Sequence, residues 1–268
     1  MIAMPVILLS NGLLGFDLSD LPTLVAAVLS VLIVLYTTYL RKDAEKRKMR
    51  RIAGLNAIEE AIGRATEMAA PILYTPGWGG DIQRPTTIAS MNILSHVAKL
   101  TAGYNCQLIY PTHDPVIMSV AQEVVKEGYA KAGYPDRMRP DDIQYVSSSQ
   151  FGYAAAVDGL ISRSKPASIF LLGTFEAESL ILAETGNTVG AIQVAGTDST
   201  IQLSFFIVAC DYTLIGEELF AASGYLSQNH SILASVRAQD MMKILIAVLL
   251  IIAVVWATLD PDSTWWKF

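Results

Sequence analysis

The sequence predicts an α/β protein with a Rossmann-like, mostly parallel sheet and flanking helices, together with two transmembrane helices. Strand-like segments alternate with helical segments through the middle of the chain, as βαβ units require. Runs such as SIFLLG and SFFIVA are apolar throughout, which is typical of strands that are covered on both faces. Two uncharged apolar runs near the ends of the chain predict the membrane helices.

Composition supports a chain that spends part of its length in lipid. Of the 268 residues, 52% are hydrophobic and only 16% are charged, with a mean hydropathy of +0.40. A soluble domain is usually about a quarter charged, so these values argue against disorder and against an ordinary cytosolic protein. Two cysteines exclude a disulfide framework and a cysteine-rich zinc site, and three histidines leave little room for a histidine metal cluster. We expect no cofactor, no metal and no catalytic set.

The net charge of −6 is unevenly distributed along the chain. Residues 52–240 contain ten Lys or Arg and nineteen Asp or Glu, a net charge of −9, which disfavours nucleic acid as a partner. Residues 41–51 contain seven basic and two acidic residues beside an apolar run, where anionic lipid headgroups would bind. The predicted headgroup contacts are Arg41, Lys42, Lys46, Arg47, Lys48, Arg50 and Arg51.

The two apolar runs have the length of bilayer spans. Leu21 to Leu40 is twenty residues without a charge, or about 30 Å of helix. Ile244 to Leu259 is sixteen uncharged residues, extended by Met241, Met242 and a snorkelling Lys243. A buried helix is the alternative for each run. A cleaved signal peptide is the alternative for the first, and the lack of Lys or Arg in residues 1–20 argues against it.

The basic block also predicts an orientation. Positive residues stay inside, so both termini are expected outside and residues 41–240 in the cytoplasm, at an inner or plasma membrane. Neither Gly nor Pro occurs between Thr23 and Ala53 or between Tyr225 and Asp260, which predicts continuous helices there. The expected segments are an apolar extracytoplasmic segment (1–20), a first span (21–40), a basic juxtamembrane helix (41–54), a cytoplasmic α/β domain (55–240), a second span (241–259) and an extracytoplasmic tail (260–268).

Within the α/β domain the sequence predicts an ordered series of elements. Gly196–Thr200 is too short for a parallel crossover, so we expect the last two strands to form an antiparallel hairpin at one edge. The predicted helices are Leu55–Ala69, Thr87–Thr101, Pro115–Ala132, Gln150–Arg163, Phe175–Thr185 and Leu214–Leu226. The predicted strands are Ile72–Tyr74, Gln107–Tyr110, Ile143–Ser147, Ala167–Leu172, Thr188–Val194 and Ile201–Ala209.

Candidate ligand-binding residues lie in the loops that follow the strands. Open parallel sheets bind ligands beyond the carboxyl ends of their strands. A ligand site is therefore expected among Thr75, Gly77, Gly79, His113, Asp114, Thr174, Glu176 and Asp198.

The individual motifs leave alternatives open. The segment TPGWGGD (75–81) lacks the G-x-G-x-x-G spacing of a phosphate loop, and its other interpretation is a turn whose protruding Trp78 contacts a neighbouring subunit. His113 is a candidate base with Asp114 as its orienting acid. The other interpretation is that Asp114 is the N-cap of the next helix and Pro115 its N1 residue. The carboxylates of Asp81, Asp114, Glu176 and Asp198 would bind a divalent cation if they converged, and would otherwise be solvated.

Two segments resemble a known family. GLNAIEEAIGRATEMAAPILYTPG (54–77) and LIGEELFAASGYLS (214–227) are similar to an uncharacterised family of prokaryotic membrane proteins known only as a domain of unknown function. The resemblance covers most of residues 52–240. It implies a prokaryotic membrane protein and carries over no catalytic residues.

The small residues of these segments allow close approach between helices or subunits. We therefore expect a membrane-anchored scaffold that assembles into a homo-oligomeric ring or array, with other membrane subunits as further possible partners. The alternatives are a module that binds a nucleotide or a cation, and an enzyme at the membrane.

Overall fold

The computed structural model of the chain describes residues 21–36, 53–227 and 230–259. The helices are α1 (Leu21–Leu35), α2 (Ala53–Glu67), α3 (Pro85–Tyr104), α4 (Pro115–Lys131), α5 (Gln150–Ser164), α6 (Glu178–Val189), α7 (Thr200–Ala209), α8 (Glu218–Ser227) and α9 (His230–Leu259). The strands are β1 (Ile72–Thr75), β2 (Leu108–Thr112), β3 (Ile143–Tyr145), β4 (Ser168–Leu172), β5 (Ile192–Thr197) and β6 (Tyr212–Ile215), and short 3-10 turns cover Pro135–Arg137 and Pro140–Asp142.

The described residues divide into two units. Helices α1 and α9 form one unit and contact each other, while residues 53–227 form the other. Over the part of the chain that the structure describes, no helix is both long enough and apolar enough to cross a bilayer. Segments 1–20 and 260–268, and the basic residues 41–51, lie outside the described residues. Residues 228 and 229 lie outside them too, so the predicted helix continuity from Tyr225 stays a prediction.

The sheet of the second unit has six parallel strands in the order β3-β2-β1-β4-β5-β6. This confirms the prediction of an α/β, Rossmann-like fold with flanking helices. Side chains alternate between the two faces of each strand. Ile72 and Tyr74 pack in the hydrophobic cluster with α2, α3, α4 and α8, whereas Leu73 packs in the cluster with α5, α6 and α7. Helices therefore cover both faces of the sheet.

The predicted antiparallel hairpin is wrong. Ile201–Ala209 lies in helix α7, and the sixth strand is formed by Tyr212–Ile215, which pairs with β5 in parallel from Val194 opposite Tyr212 onward. A short, continuously apolar run such as SFFIVA has no periodicity that separates a buried strand from a helix. The parallel connection between β5 and β6 therefore contains α7 rather than a five-residue turn.

Two further boundaries differ from the prediction. The predicted strand Thr188–Val194 starts later, at Ile192, since α6 continues to Val189 and ends at Gly190 in a left-handed conformation with φ 76°. The predicted helix Leu214–Leu226 starts at Glu218, because its first residues complete β6. The cap predicted at Asp114 is confirmed: its Oδ1 accepts from the Val116 N–H at 2.7 Å, and Pro115 occupies the first turn.

Candidate functional site

The candidate site lies at the carboxyl edge of the sheet, where β1 and β4 are neighbours. From this pair the chain continues to β2 on one side and to β5 on the other, so β1 and β4 flank the topological switch point. An open cavity of about 520 Å³ lies here, formed by the loops after β1, β2 and β4. Its lining residues are Trp78, Gly79, Gly80, Asp81, Gln83, Arg84, His113, Asp114 and Glu176.

The structure separates the predicted site residues into three groups. Gly79, His113, Asp114 and Glu176 line the cavity. Thr75 at the end of β1 and Gly77 and Thr174 in the loops are buried beside it, and the Thr75 hydroxyl hydrogen-bonds the Tyr153 hydroxyl. Asp198 does not line the cavity.

Backbone hydrogen bonds join the loops after β1 and β4. The Thr174 N–H donates to the Pro76 carbonyl, and the Gly79 N–H donates to the Thr174 carbonyl, each at 3.0 Å. Gly77 has a φ of 79°, and a Cβ at this position would lie 2.2 Å from the Thr174 oxygen. Only glycine fits such a contact, so Gly77 allows the two loops to approach closely.

Glu178 fixes the same two loops, and the sequence analysis missed it. Its side chain is at the start of α6, and the residue is 1% exposed. Its Oε1 accepts from the Trp78 N–H at 3.0 Å and from the Glu176 N–H at 3.1 Å, and its Oε2 accepts from the Gln150 side-chain amide at 3.0 Å. An acidic residue in the first turn of a helix that follows a buried strand was the available signal.

Trp78 is held by its own domain. The residue is half-buried, its indole Nε1 donates to the Ser148 carbonyl at 2.9 Å, and its ring centroid lies 6.0 Å from that of His113. The side chain therefore forms a wall of the cavity rather than protruding from a turn. Its predicted contact with a neighbouring subunit stays a prediction.

His113 is oriented by backbone and not by Asp114. Its Nδ1 lies 3.1 Å from the Gly77 carbonyl, which can only accept, so Nδ1 carries a proton. Burial lowers the pKa of His113, and this outweighs the carbonyls of Gly77 and Gly80 and the carboxylates of Asp114 and Glu178, which raise it. The imidazole is therefore neutral near pH 7. Asp114 does not orient His113 as the base interpretation requires, because its carboxylate caps α4.

Two buried threonine hydroxyls that have no hydrogen-bond partner lie next to Gly80. Thr87 and Thr174 are 0% and 4% exposed, and neither Oγ1 is satisfied. A Cβ on Gly80 would lie 2.6 Å from the Thr87 hydroxyl and 3.3 Å from that of Thr174. An unsatisfied buried hydroxyl costs about 1–3 kcal/mol. Gly80, which lines the cavity, therefore has two unsatisfied hydroxyl groups next to it.

Asp198 has a structural position at the start of α3. Its Oδ2 accepts from the Thr86 hydroxyl at 2.8 Å, in the first turn of that helix. Arg84, the N-cap residue, makes no side-chain cap, and a carboxylate is favourable at a helix N-terminus.

The cavity is acidic but is not a metal cluster. Among the described residues, no group of three His, Cys, Asp or Glu side chains lies close enough to hold a metal ion. Asp81, Asp114, Glu176 and Asp198 therefore do not converge as a cation site would require. The lining carries three carboxyl groups and one guanidinium, that of Arg84, which donates to the Gly79 carbonyl at 2.8 Å. Such a lining favours a neutral polar or cationic ligand over an anionic one.

Fold and site together define a Rossmann-like α/β protein with an acid-lined crevice at its switch point. The chain belongs to the family described as a domain of unknown function (DUF6754), whose family model matches residues 13–266. This confirms the resemblance to a family of unknown function, while the prokaryotic and membrane character that it implied stays a prediction. No curated protein and no solved structure matches the chain.

Proposed function

We propose that this protein is a membrane-anchored module whose α/β domain binds a small polar ligand in the switch-point crevice. The observation that carries the proposal is the cavity of about 520 Å³ formed by three strand-end loops. Parallel α/β sheets bind their ligands at this place, and pockets of this size suit small molecules.

The chemistry of the lining favours an organic cation or a hydroxyl-rich neutral molecule. Asp81, Asp114 and Glu176 supply carboxylates, and His113 adds no positive charge because its pKa is lowered. The half-buried ring of Trp78 offers an aromatic face to an ammonium group. A nucleotide phosphate would meet repulsion from these acids, so it is the less favoured ligand.

Thermal-shift and calorimetric titration of the full chain test the proposal. The probes are a polyamine, a neutral sugar, ATP and Mg²⁺, and we expect stabilisation by the amine or the sugar. Asp114→Asn retains the helix cap while removing one charge, and Glu176→Gln removes another. Each should weaken amine binding about tenfold or more.

Asp136→Asn is the matched control, because it makes the same charge change beside Arg137. The Arg137 side chain donates to the carbonyl of Ala102 near the C-terminal end of α3, away from the crevice. Binding that is unchanged in the crevice variants, or no stabilisation by any probe, would refute the proposal.

The membrane anchor rests on the two uncharged runs and on exposed apolar side chains. Since the described residues alone contain no spanning helix, the proposal depends on the sequence of residues 21–40 and 244–259. The α1 and α9 side chains that are large, apolar and exposed are Val28, Leu29, Val31, Leu32, Leu35, Ile244, Ile246, Val248, Leu249, Leu250, Ile251 and Val254.

Carbonate extraction and cysteine labelling in intact cells test this anchor. We expect the protein to stay with the membrane at alkaline pH. Cysteines introduced at 260–268 should react from outside, and those in residues 53–227 should not. Release by carbonate, or outside labelling of the α/β domain, would contradict the anchor or its orientation.

A second candidate function, self-assembly into a scaffold, is favoured by one observation. Seven of the ten residues of helix α7 are apolar, yet only Phe206 among them is buried. A large apolar surface that one chain leaves exposed is typical of a protein–protein contact.

A further inference from the structure

We infer that α7 carries the surface through which two copies of this chain associate, an inference that rests on the second candidate function. Ile201, Phe205 and Val208 are 69%, 40% and 88% exposed. Their spacing of i, i+4 and i+7 puts them on one face of the helix, opposite the buried Phe206. The outer face of α7 is thus an apolar stripe.

Helix α6 is the neighbour of α7 on the same face of the sheet. It packs against α7, where the Ser179 hydroxyl donates to the Gln202 side-chain oxygen at 2.5 Å. Leu180 and Ile181, the next residues of α6, are exposed as well. We call Leu180, Ile181, Ile201, Phe205 and Val208 the α6–α7 patch.

Charge favours a second copy over a lipid surface as the occupant. Residues 199–210 contain no charged side chain, and the residues that bracket them are Asp198 and Asp211. Helices that lie on membranes carry Lys or Arg on their polar face, and anionic headgroups would be repelled here. Two domains of charge −9 also repel each other, which favours an uncharged surface such as this one for their contact.

The patch has the size and the symmetry for a homodimer. A two-fold contact places the same surface on both copies, and an apolar patch is complementary to itself. If five exposed side chains of about 100 Å² each are covered in each copy, the pair buries about 1,000 Å², which is the lower limit for a specific interface.

The test measures the mass of the detergent-solubilised full chain by light scattering at micromolar concentration. Val208→Glu and Ile201→Glu place a charge in the patch. Val116→Glu is the matched control, because Val116 is also exposed but lies on α4. We expect wild type and Val116→Glu to be multimeric, and both patch variants to have at least ~10-fold weaker association with unchanged circular dichroism.

The outcomes separate the surface from the scaffold function. A wild-type chain that runs as a single copy overturns both the α6–α7 patch and the scaffold function. A multimeric wild type whose mass is unchanged by both patch substitutions overturns the α6–α7 patch and leaves self-assembly through another surface. Because the two substituted side chains are exposed, Ile201→Glu keeps the test decisive if Val208→Glu folds poorly.

Discussion

Helices α3 and α7 each follow a strand of the same sheet, yet the less apolar of the two helices is the more buried one. Eleven of the twenty residues of α3 are buried, and these include Thr86, Thr87 and Ser90. Helix α7 is the more apolar of the two, and Phe206 is its one buried residue. A helix of one chain normally buries its apolar side and exposes its polar side.

The positions of the two helices explain the difference. Helix α3 packs against α2, α4 and α8, whereas α7 packs against α6 and the strands β5 and β6 at the edge of the sheet. Among the buried polar groups of α3, the Thr87 hydroxyl lies beside Gly80, which lines the crevice. Within the described residues, the large apolar side chains of α7 other than Phe206 and Leu203 are exposed. Buried polar groups and exposed apolar groups are the exceptions that point to functional surfaces, and we assign the exposed apolar groups of α7 to the proposed contact between copies.

The largest expected effect tests the buried side of α7. Phe206→Ala should lower the free energy of unfolding by about 3–5 kcal/mol, because the ring is fully buried and packs edge-to-face on Phe175 with centroids 5.1 Å apart. Val208→Ala should change it by no more than about 0.5 kcal/mol under conditions in which the chain is a single copy. Urea unfolding measures both. Equal effects would remove the contrast between the two faces of α7.

The next effect concerns the loop that precedes α3. Gly77→Ala should cost about 3 kcal/mol, since its positive φ and the contact with the Thr174 carbonyl both oppose a side chain. Gly190→Ala is the control, because Gly190 has a φ of 76° and nothing within 4 Å of the added carbon, so about 1 kcal/mol is expected. Urea unfolding of the pair isolates the loop contact. A difference near zero would show that the loops tolerate separation.

A smaller effect is expected at Glu178. Glu178→Gln replaces the carboxylate oxygen Oε2 with an amide nitrogen that cannot accept, so the half-buried Gln150 amide loses its acceptor at a cost of about 1–3 kcal/mol. Glu176→Gln changes an exposed side chain and should cost less than about 0.5 kcal/mol. Denaturation midpoints measure both. If the two variants were equally stable, Glu178 would not position the loops.

The smallest expected effect is the pH dependence that His113 adds. Its pKa in the folded protein is below the ordinary value, so the unfolded chain binds protons first as the pH falls. Stability is therefore retained above about pH 6.5 and declines below it. His113→Asn should reduce this decline between pH 7.5 and 5.5, as measured by the melting temperature at each pH. His96, whose pKa is also lowered by burial, contributes a decline that remains. An unchanged slope would contradict the lowered pKa of His113.

Much of the fold was predictable because its signals are local. Ile72–Tyr74 and Ala167–Leu172 are apolar runs between turn residues, and Asp114–Pro115 is a cap pair, so each is recognisable within a few residues. The loops that form the crevice followed from the rule for parallel sheets. Helix α7 was not predictable, because its run of apolar residues fits a buried strand as well as a helix.

The site depended on contacts between distant residues. Glu178 bonds the N–H of Trp78 from a hundred positions along the chain, and no local pattern encodes that approach. The carboxylates of Asp81, Asp114 and Glu176 were visible in the sequence, while their failure to form a metal cluster depends on three-dimensional spacing.

The sequence by itself determined the α/β class, the acidic charge of the middle region and the strand ends at which a ligand site is expected. Periodicity, composition and capping preferences act over a few residues, so they can be seen without a fold. Only the tertiary structure decided that α7 is a helix with an apolar outer face, and that Gly77 and Glu178 hold two loops together. The physical reason is that burial and hydrogen bonding of these groups are fixed by chain segments far away in sequence, which meet only when the sheet is assembled.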